Sequence, residues 1–260
     1  HAIQLRKLRH FQDLGHEVIF LIGDFTARVG DPTDKLATRK QLSQKEIKNN
    51  MRLYKQQAAQ FIRFKGKNAA KIKFNNKWLA ALKFADILSL AANMTVEQML
   101  KRDMFSRRIV EEKPIFLHEF FYPLMQGYDS VAMSVDGEIG GNDQLFNMMV
   151  GRNLLKQIKG KEKFVVTVKL LEDSGGKKMG KTEGNMIALT DTPEEIYGKV
   201  MSWTDGMIIP GFELCTDYSS KDTEEIKQLL SQGINPRDIK MRLAFEITKS
   251  VTGEVSATRA

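Results

Sequence analysis

The chain has 260 residues, with 40 Lys and Arg against 32 Asp and Glu for a net charge of +8, and a single cysteine. That length suffices for one large domain or two smaller ones with a real core, and the positive balance suits an anionic partner such as nucleic acid. The lone Cys215 excludes an internal disulfide and a cysteine-rich zinc site, and no apolar run reaches membrane-spanning length, so a cytoplasmic setting with no membrane partner is the default.

Ala2 to Leu14 reads as a helix, with Ile3, Leu5, Leu8, Phe11 and Leu14 apolar among basic residues and Gly15 placed to end it. Val18-Ile19-Phe20-Leu21-Ile22, stopped by Gly23-Asp24, suits a parallel strand buried on both faces. Asp31-Pro32 follows beyond its carboxyl end, where open α/β sheets bind ligands. Asp31 either caps the turn at Pro32 or faces such a ligand.

Ser43 and Glu46 form a capping box at the start of an expected long helix carrying Ile47, Met51, Tyr54, Ala58 and Phe61. Lys65 to Lys77 is basic, with a short strand expected around Ile72. Thr95 and Gln98 form a second capping box, and Arg102, Arg107 and Arg108 are either a solvated helix face or an RNA contact. Pro123 fits a helix only in its first turn, so a helix is expected from about Tyr122. Tyr122, Gln126 and Asp129 then stand at i, i+4 and i+7 on one polar face, which is either exposed or lines a polar site.

Val131 to Val135 reads as the next strand. Gly140-Gly141-Asn142-Asp143-Gln144 opens a helix with Asn142 as its N-cap, a place where free N–H groups favour anionic oxygens. Phe164 to Val168 is another strand. It leads through Ser174-Gly175-Gly176 to Lys177-Lys178-Met179-Gly180-Lys181-Thr182-Glu183-Gly184-Asn185, which is either a solvated basic loop or a mobile phosphate clamp. Helices follow: one capped by Thr192 and Glu195 with Pro193 at its first position, one over Asp222–Gln232, and one opened by Asn235-Pro236. The histidines at 10, 16 and 118 have no partner pattern and read as structural, and Cys215 reads as a small buried residue.

Lys178-Met179-Gly180-Lys181-Thr182 resembles the Lys-Met-Ser-Lys-Ser signature of class I aminoacyl-tRNA synthetases. Taken with Gly23 to Pro32, with Tyr122, Gln126 and Asp129, and with Gly140 to Gln144, the chain resembles bacterial-type tyrosyl-tRNA synthetases from His1 to about Gly253. The resemblance implies an α/β fold: a Rossmann-like class I catalytic domain over 1–174 with a helical dimerisation insertion. A smaller all-α, anticodon-side domain over 175–260 would follow, opened by the signature loop. It implies activation of L-tyrosine by ATP with Mg²⁺, transfer to the 3′-terminal adenosine of tRNA(Tyr), and a homodimer.

By the same resemblance, Asp129 accepts a hydrogen bond from the substrate phenol, Tyr122, Gln126 and Asp31 hold the α-ammonium group, and Gln144 lies near the carboxylate. Gly140, Gly141 and Asp143 meet ATP, while Lys178, Lys181 and Thr182 close over the pyrophosphate. His1 matches the last histidine of the family's His-x-Gly-His signature and so belongs with the catalytic and ATP-binding residues. The rest of that signature and its strand would precede His1, and a C-terminal RNA-binding domain would follow Ala260, so the match is to a member truncated at both ends. Activity would depend on the missing N-terminal part. With phenylalanine in the pocket, Asp129 would be left buried and unpaired, the expected basis of selectivity. The alternatives are a tryptophanyl-tRNA synthetase and a catalytically inactive RNA-binding relative. A Tyr/Gln/Asp face suits a phenol better than an indole, whose N–H is only a donor, and the intact Lys178 loop argues against lost chemistry.

Overall fold

A computed structural model describes the chain except residues 1, 32–41, 174, 177, 178 and 181–185. The sites expected at His1, Lys178, Lys181 and Thr182 therefore lie outside the described residues. In chain order the elements are α1 (Ala2–Asp13), β1 (Ile19–Ile22), α2 (Gln44–Met51), α3 (Tyr54–Ala58), β2 (Lys71–Phe74), α4 (Asn76–Leu79) and α5 (Phe84–Ala91). Then come α6 (Val96–Leu100), α7 (Asp103–Val110), α8 (Leu117–Met133), β3 (Gly137–Gly141), α9 (Leu145–Lys159) and β4 (Phe164–Val168). The remainder is helical: α10 (Pro193–Met201), α11 (Ile208–Cys215), α12 (Ser220–Ser231), α13 (Pro236–Thr252) and α14 (Glu254–Arg259).

The chain forms two compact units. The strand-bearing unit comprises Gly15–Tyr54 and Lys65–Val168. In it β1 pairs in parallel with β2, Ile19 opposite Lys71 through Ile22 opposite Phe74. β3 pairs in parallel with β4, Gly137 opposite Phe164 through Gly141 opposite Val168. Parallel partners need long crossovers, and helices supply them. Its core joins Leu90, Met99, Leu124, Val131, Val150, Leu154 and Leu155. A Cβ at Gly127 would stand 2.9 Å from both Val150 and Leu154 side chains, so glycine lets α8 lie close on α9.

Several expectations fail here for tertiary reasons. The helix expected from Tyr122 starts at Leu117, and Pro123 is buried inside it. The Glu119 carboxylate accepts the Phe116 N–H at 2.9 Å and is itself paired with Arg108, which fixes the earlier start. Val131 to Met133, expected in a strand, forms the last turn of α8, with Val131 in the core against α9. Ser134 ends the helix at φ +52°, and the strand begins at Gly137. Asn142 is not an N-cap: Asn142–Gln144 is a 3-10 turn whose N-cap is Gly141. The expected long helix after Ser43 divides into α2 and α3, just past Asn49-Asn50, asparagine being a residue type of low helix propensity. The Ser43–Glu46 and Thr95–Gln98 capping boxes form as expected.

Arg102 and Arg108 are neither solvated nor available to RNA, being 6% and 1% exposed, whereas Arg107 is exposed. Arg102 lies over the rings of Phe105 and Phe146.

The helical unit comprises residues 1–14, Lys55–Phe64 and Lys169–Ala260. Its core gathers Ile196, Val200, Trp203, Met207, Ile208, Phe212, Ile226, Ile239, Leu243, Ala244 and Ile247. The capping box of Thr192 and Glu195 starts α10 with Pro193 at its first position, and the Asn235 side chain caps α13. Within this unit Gln12 on α1 donates to the Arg63 carbonyl at 2.8 Å and accepts the Arg63 N–H at 2.9 Å. Cys215 is partly buried, and burial pushes its thiol up to about 11, which keeps it inert.

Candidate active site

In the strand-bearing unit, β1 and β2 deliver polar loops at their carboxyl ends, and α8 brings Asp129 to them. Gly23 follows β1, and a Cβ there would collide with the Thr26 hydroxyl, so glycine permits the tight turn. The turn after β2 is held to it: the Asn76 N–H donates to Asp24 Oδ1 and the Phe25 N–H to Asn75 Oδ1, both at 2.9 Å. Asn75 is 1% exposed, and its Nδ2 lies 3.2 Å from both Thr26 Oγ1 and Asp129 Oδ2. Trp78 on α4 donates its Nε1–H to Asp129 Oδ1 at 2.7 Å.

Asp129 is therefore 4% exposed with a donor on each oxygen. Burial pushes its carboxyl from 3.8 up to about 7, against the Trp78 and Asn75 hydrogen bonds and with the charges of Glu138 and Asp24 adding to the rise. This corrects the expectation of an unpaired carboxylate in the absence of a phenol: Asp129 keeps two donors and can take up a proton. Trp78, Asn75 and Thr26 were missed in the sequence. Their only signal is polar or hydrogen-bonding residues just past the carboxyl ends of two strands.

Tyr122 and Gln126 lie half-buried on α8 with Asp129, as the i, i+4, i+7 spacing predicts. Gln126 Nε2 donates to Glu138 Oε1 at 3.4 Å. Gln144 Nε2 donates to Asp31 Oδ2 at 2.7 Å, and its Oε1 accepts from Asn147 Nδ2 at 3.1 Å. Asp31 and Gln144, far apart in sequence, are thus brought together. Arg102 faces the same corner. Burial lowers its pKa, while the charges of Asp31 and Tyr122 act to hold its proton. Gly140 is explained by its own chain, since a Cβ would stand 2.9 Å from Met148 Sδ. Asp143 sits in the 3-10 turn before α9. A buried carboxyl on α8 with the Asp31 carboxylate and the Gln126 and Gln144 carboxamides in the same unit is a set of groups that can orient a ligand carrying a hydroxyl and a cation.

The whole chain, residues 1–260, matches the family model described as tRNA synthetases class I (W and Y). It is 46% identical over 262 residues to a tyrosine–tRNA ligase of Thermotoga maritima and 46% identical over 264 residues to that of Carboxydothermus hydrogenoformans. Each match takes in 100% of this chain, and the chain spans 65% and 63% of the lengths of those relatives. Among solved structures, a C-terminally truncated Aspergillus nidulans mitochondrial tyrosyl-tRNA synthetase superposes with a TM-score of 0.81 at 23% identity, over 100% of this chain and 79% of that one. The Archaeoglobus fulgidus tyrosyl-tRNA synthetase, solved with L-tyrosine, gives a TM-score of 0.76 at 20% identity, over 99% of this chain and 85% of that one. Both likenesses bear on the fold, which is the α/β class I synthetase catalytic fold.

Proposed function

The chain belongs to the class I tRNA synthetases of the tryptophan and tyrosine type, and on that premise we propose that it activates L-tyrosine with ATP and transfers it to tRNA(Tyr). The observation that carries the choice of tyrosine is Asp129: a buried carboxyl fixed by Trp78 and Asn75 on the helix face that also bears Tyr122 and Gln126. A phenol O–H is a donor and acceptor of one atom's reach and can meet this carboxyl in either protonation state. Seven residues of helix span about 10 Å at 1.5 Å per residue, comparable to the reach from the ammonium group of tyrosine to its phenol oxygen.

In this reading Tyr122, Gln126 and Asp31 receive the ammonium group, and Gln144 lies by the carboxylate. A carboxylate oxygen of tyrosine attacks the α-phosphorus of ATP, a P–O bond forms, and the bond to the bridging oxygen breaks to release pyrophosphate. Gly140, Gly141, Asp143 and His1 hold the nucleotide, and Lys178, Lys181 and Thr182 stabilise the charge that grows on pyrophosphate, chiefly in the transition state. The 3′-terminal ribose hydroxyl of the tRNA then attacks the acyl carbon and AMP departs. Mg²⁺ enters with the phosphates of ATP. Among the described residues no group of three or more His, Cys, Asp or Glu side chains is placed to hold a metal. The setting this reading implies is the cytoplasm. Among the described residues no helix is long and apolar enough to cross a membrane.

Amino-acid-dependent ATP–pyrophosphate exchange, run on the full-length protein with tyrosine, phenylalanine and tryptophan, tests the reading. Tyrosine alone should support exchange. Asp129→Ala should lose most of the tyrosine rate, by a factor of about ten or more for one charged hydrogen bond. Exchange driven best by tryptophan would overturn the assignment of this helix face.

A further inference from the structure

Next to that helix face lies an ion pair built on a buried lysine, which the proposed chemistry does not use. The Lys163 side chain is 0% exposed. Its ammonium group donates to Ser130 Oγ at 2.8 Å and to Glu138 Oε2 at 2.5 Å. Ser130 Oγ also donates to Glu138 Oε2 at 3.2 Å. Gly151 makes the room: a Cβ there would stand 2.8 Å from both Lys163 Nζ and Ser130 Oγ. Glu138 sits on β3, opposite Val165 of β4, with its side chain 24% exposed. Its second oxygen, Oε1, accepts from Gln126 Nε2. A cation, a carboxylate and a carboxamide are therefore linked in series, and the series ends on α8 beside Tyr122 and Asp129.

A wholly buried ammonium group is costly unless paired, and Lys163 is paired through Glu138. The carboxylate it fixes is an acceptor only, so it can meet the Gln126 amide only through the NH₂ group. Amide nitrogen and oxygen occupy opposite corners of one plane. Holding the NH₂ on Glu138 leaves Gln126 Oε1 directed elsewhere. That matters for a cationic ligand: an ammonium group has donors and no acceptor, so an amide oxygen attracts it and an amide NH₂ repels it.

We infer that Glu138 and Lys163 are positioning residues of the amino-acid pocket: Lys163 fixes Glu138, and Glu138 sets the Gln126 carboxamide so that its oxygen is offered to the substrate ammonium group. The inference rests on the reading that Gln126 meets that group. Glu138→Gln keeps the shape but supplies a donor, which lets the Gln126 amide turn over.

The test is calorimetric binding to the full chain of L-tyrosine and of 3-(4-hydroxyphenyl)propionate, which keeps the phenol and carboxylate and lacks the ammonium group. Glu138→Gln should weaken tyrosine about tenfold, the scale of one charged hydrogen bond, and leave the propionate unchanged. Lys163→Met, which strips Glu138 of its cation, should show the same one-sided loss. The exchange Gln126→Glu with Glu138→Gln restores one carboxylate and one amide in reversed places and should recover tyrosine binding. That double variant also carries the test if the single one does not fold. Equal losses for both ligands, no loss for either, or a folded exchange variant as weak as Glu138→Gln would overturn the inference. If the unaltered chain binds neither phenol, the tyrosine reading itself fails and takes the inference with it, an outcome distinct from an equal loss.

Discussion

Asp129 shows how one buried group ties stability to pH. The folded chain keeps a proton on this carboxyl up to about pH 7, whereas its ordinary value is 3.8. Between those values the folded state binds the extra proton, so the stabilisation is complete below about pH 4 and is lost as pH rises through about 7. At roughly 1.4 kcal/mol per pH unit, the span from 3.8 to about 7 corresponds to about 4 kcal/mol. Asp129→Asn carries no titrating group there. Urea midpoints measured from pH 4 to pH 8 should therefore fall more steeply for the unaltered chain than for the variant, and parallel curves would show that Asp129 does not titrate in this window. The residue itself was legible in the sequence, because an acidic side chain at i+7 on an apolar helix calls for partners. Those partners were not legible. Asn75 and Trp78 reach Asp129 across 54 and 51 positions, and no local pattern encodes that meeting.

Elements were legible where their signals are local. The capping boxes at Ser43, Thr95 and Thr192 each form within four residues, and each starts a helix where expected. α8 shows the opposite case. Pro123 lacks the N–H that would reach the Glu119 carbonyl, which argues for a later start, yet the helix begins at Leu117. What secures its first turn comes from outside: Arg108 on α7 grips Glu119 with Nη1 to Oε2 at 2.6 Å and Nη2 to Oε1 at 2.7 Å, and also donates to the Pro114 carbonyl at 2.5 Å. The pair is 1% and 6% exposed at the side chains, so breaking one half leaves a bare charge in the interior. Arg108→Met should cost about 3–5 kcal/mol in urea unfolding, and removing both charges with Arg108→Met and Glu119→Leu should cost clearly less. Equal losses for single and double variants would mean that the pair contributes nothing beyond side-chain packing. Val131 to Met133 was misread as strand for a related reason. Its β-branched and apolar character fits either element, and packing of Val131 in the core shared with α9 decides it.

At the scale of the whole molecule, the helical stretch between β2 and β3 hides some of its apolar residues and leaves others bare. Met99 and Phe105, within the stretch where the resemblance places the dimerisation insertion, are 4% and 0% exposed and so are buried within their own chain. Val96 from the same stretch is 68% exposed, and it is joined by Phe84 at 74%, Leu88 at 56%, Val110 at 83% and Leu117 at 72%. Phe84 and Leu88 stand four apart on α5, so they share a face. A contiguous exposed apolar strip such as Phe84 and Leu88 suits an interaction surface, and we propose that these five residues meet a second copy of the chain, the homodimer that the family resemblance implies. Magnitudes favour a surface of this kind. Covering each such side chain is worth roughly 1.5–3 kcal/mol, and a symmetric pair covers five on each copy, so the ten together give on the order of 20 kcal/mol against an association cost of about 4–15 kcal/mol. Losing two of the five on each copy removes that surplus and should be decisive. Sedimentation at micromolar concentration should show a dimer for the unaltered chain. Phe84→Asp with Val110→Asp removes two apolar side chains from each copy, about 8 kcal/mol of burial, and places like charges on both copies. Dissociation should then shift by about five orders of magnitude or more, leaving a monomer with unchanged helix content by circular dichroism. A monomer before the substitutions, or a dimer that persists after them, would rule out this face as the contact.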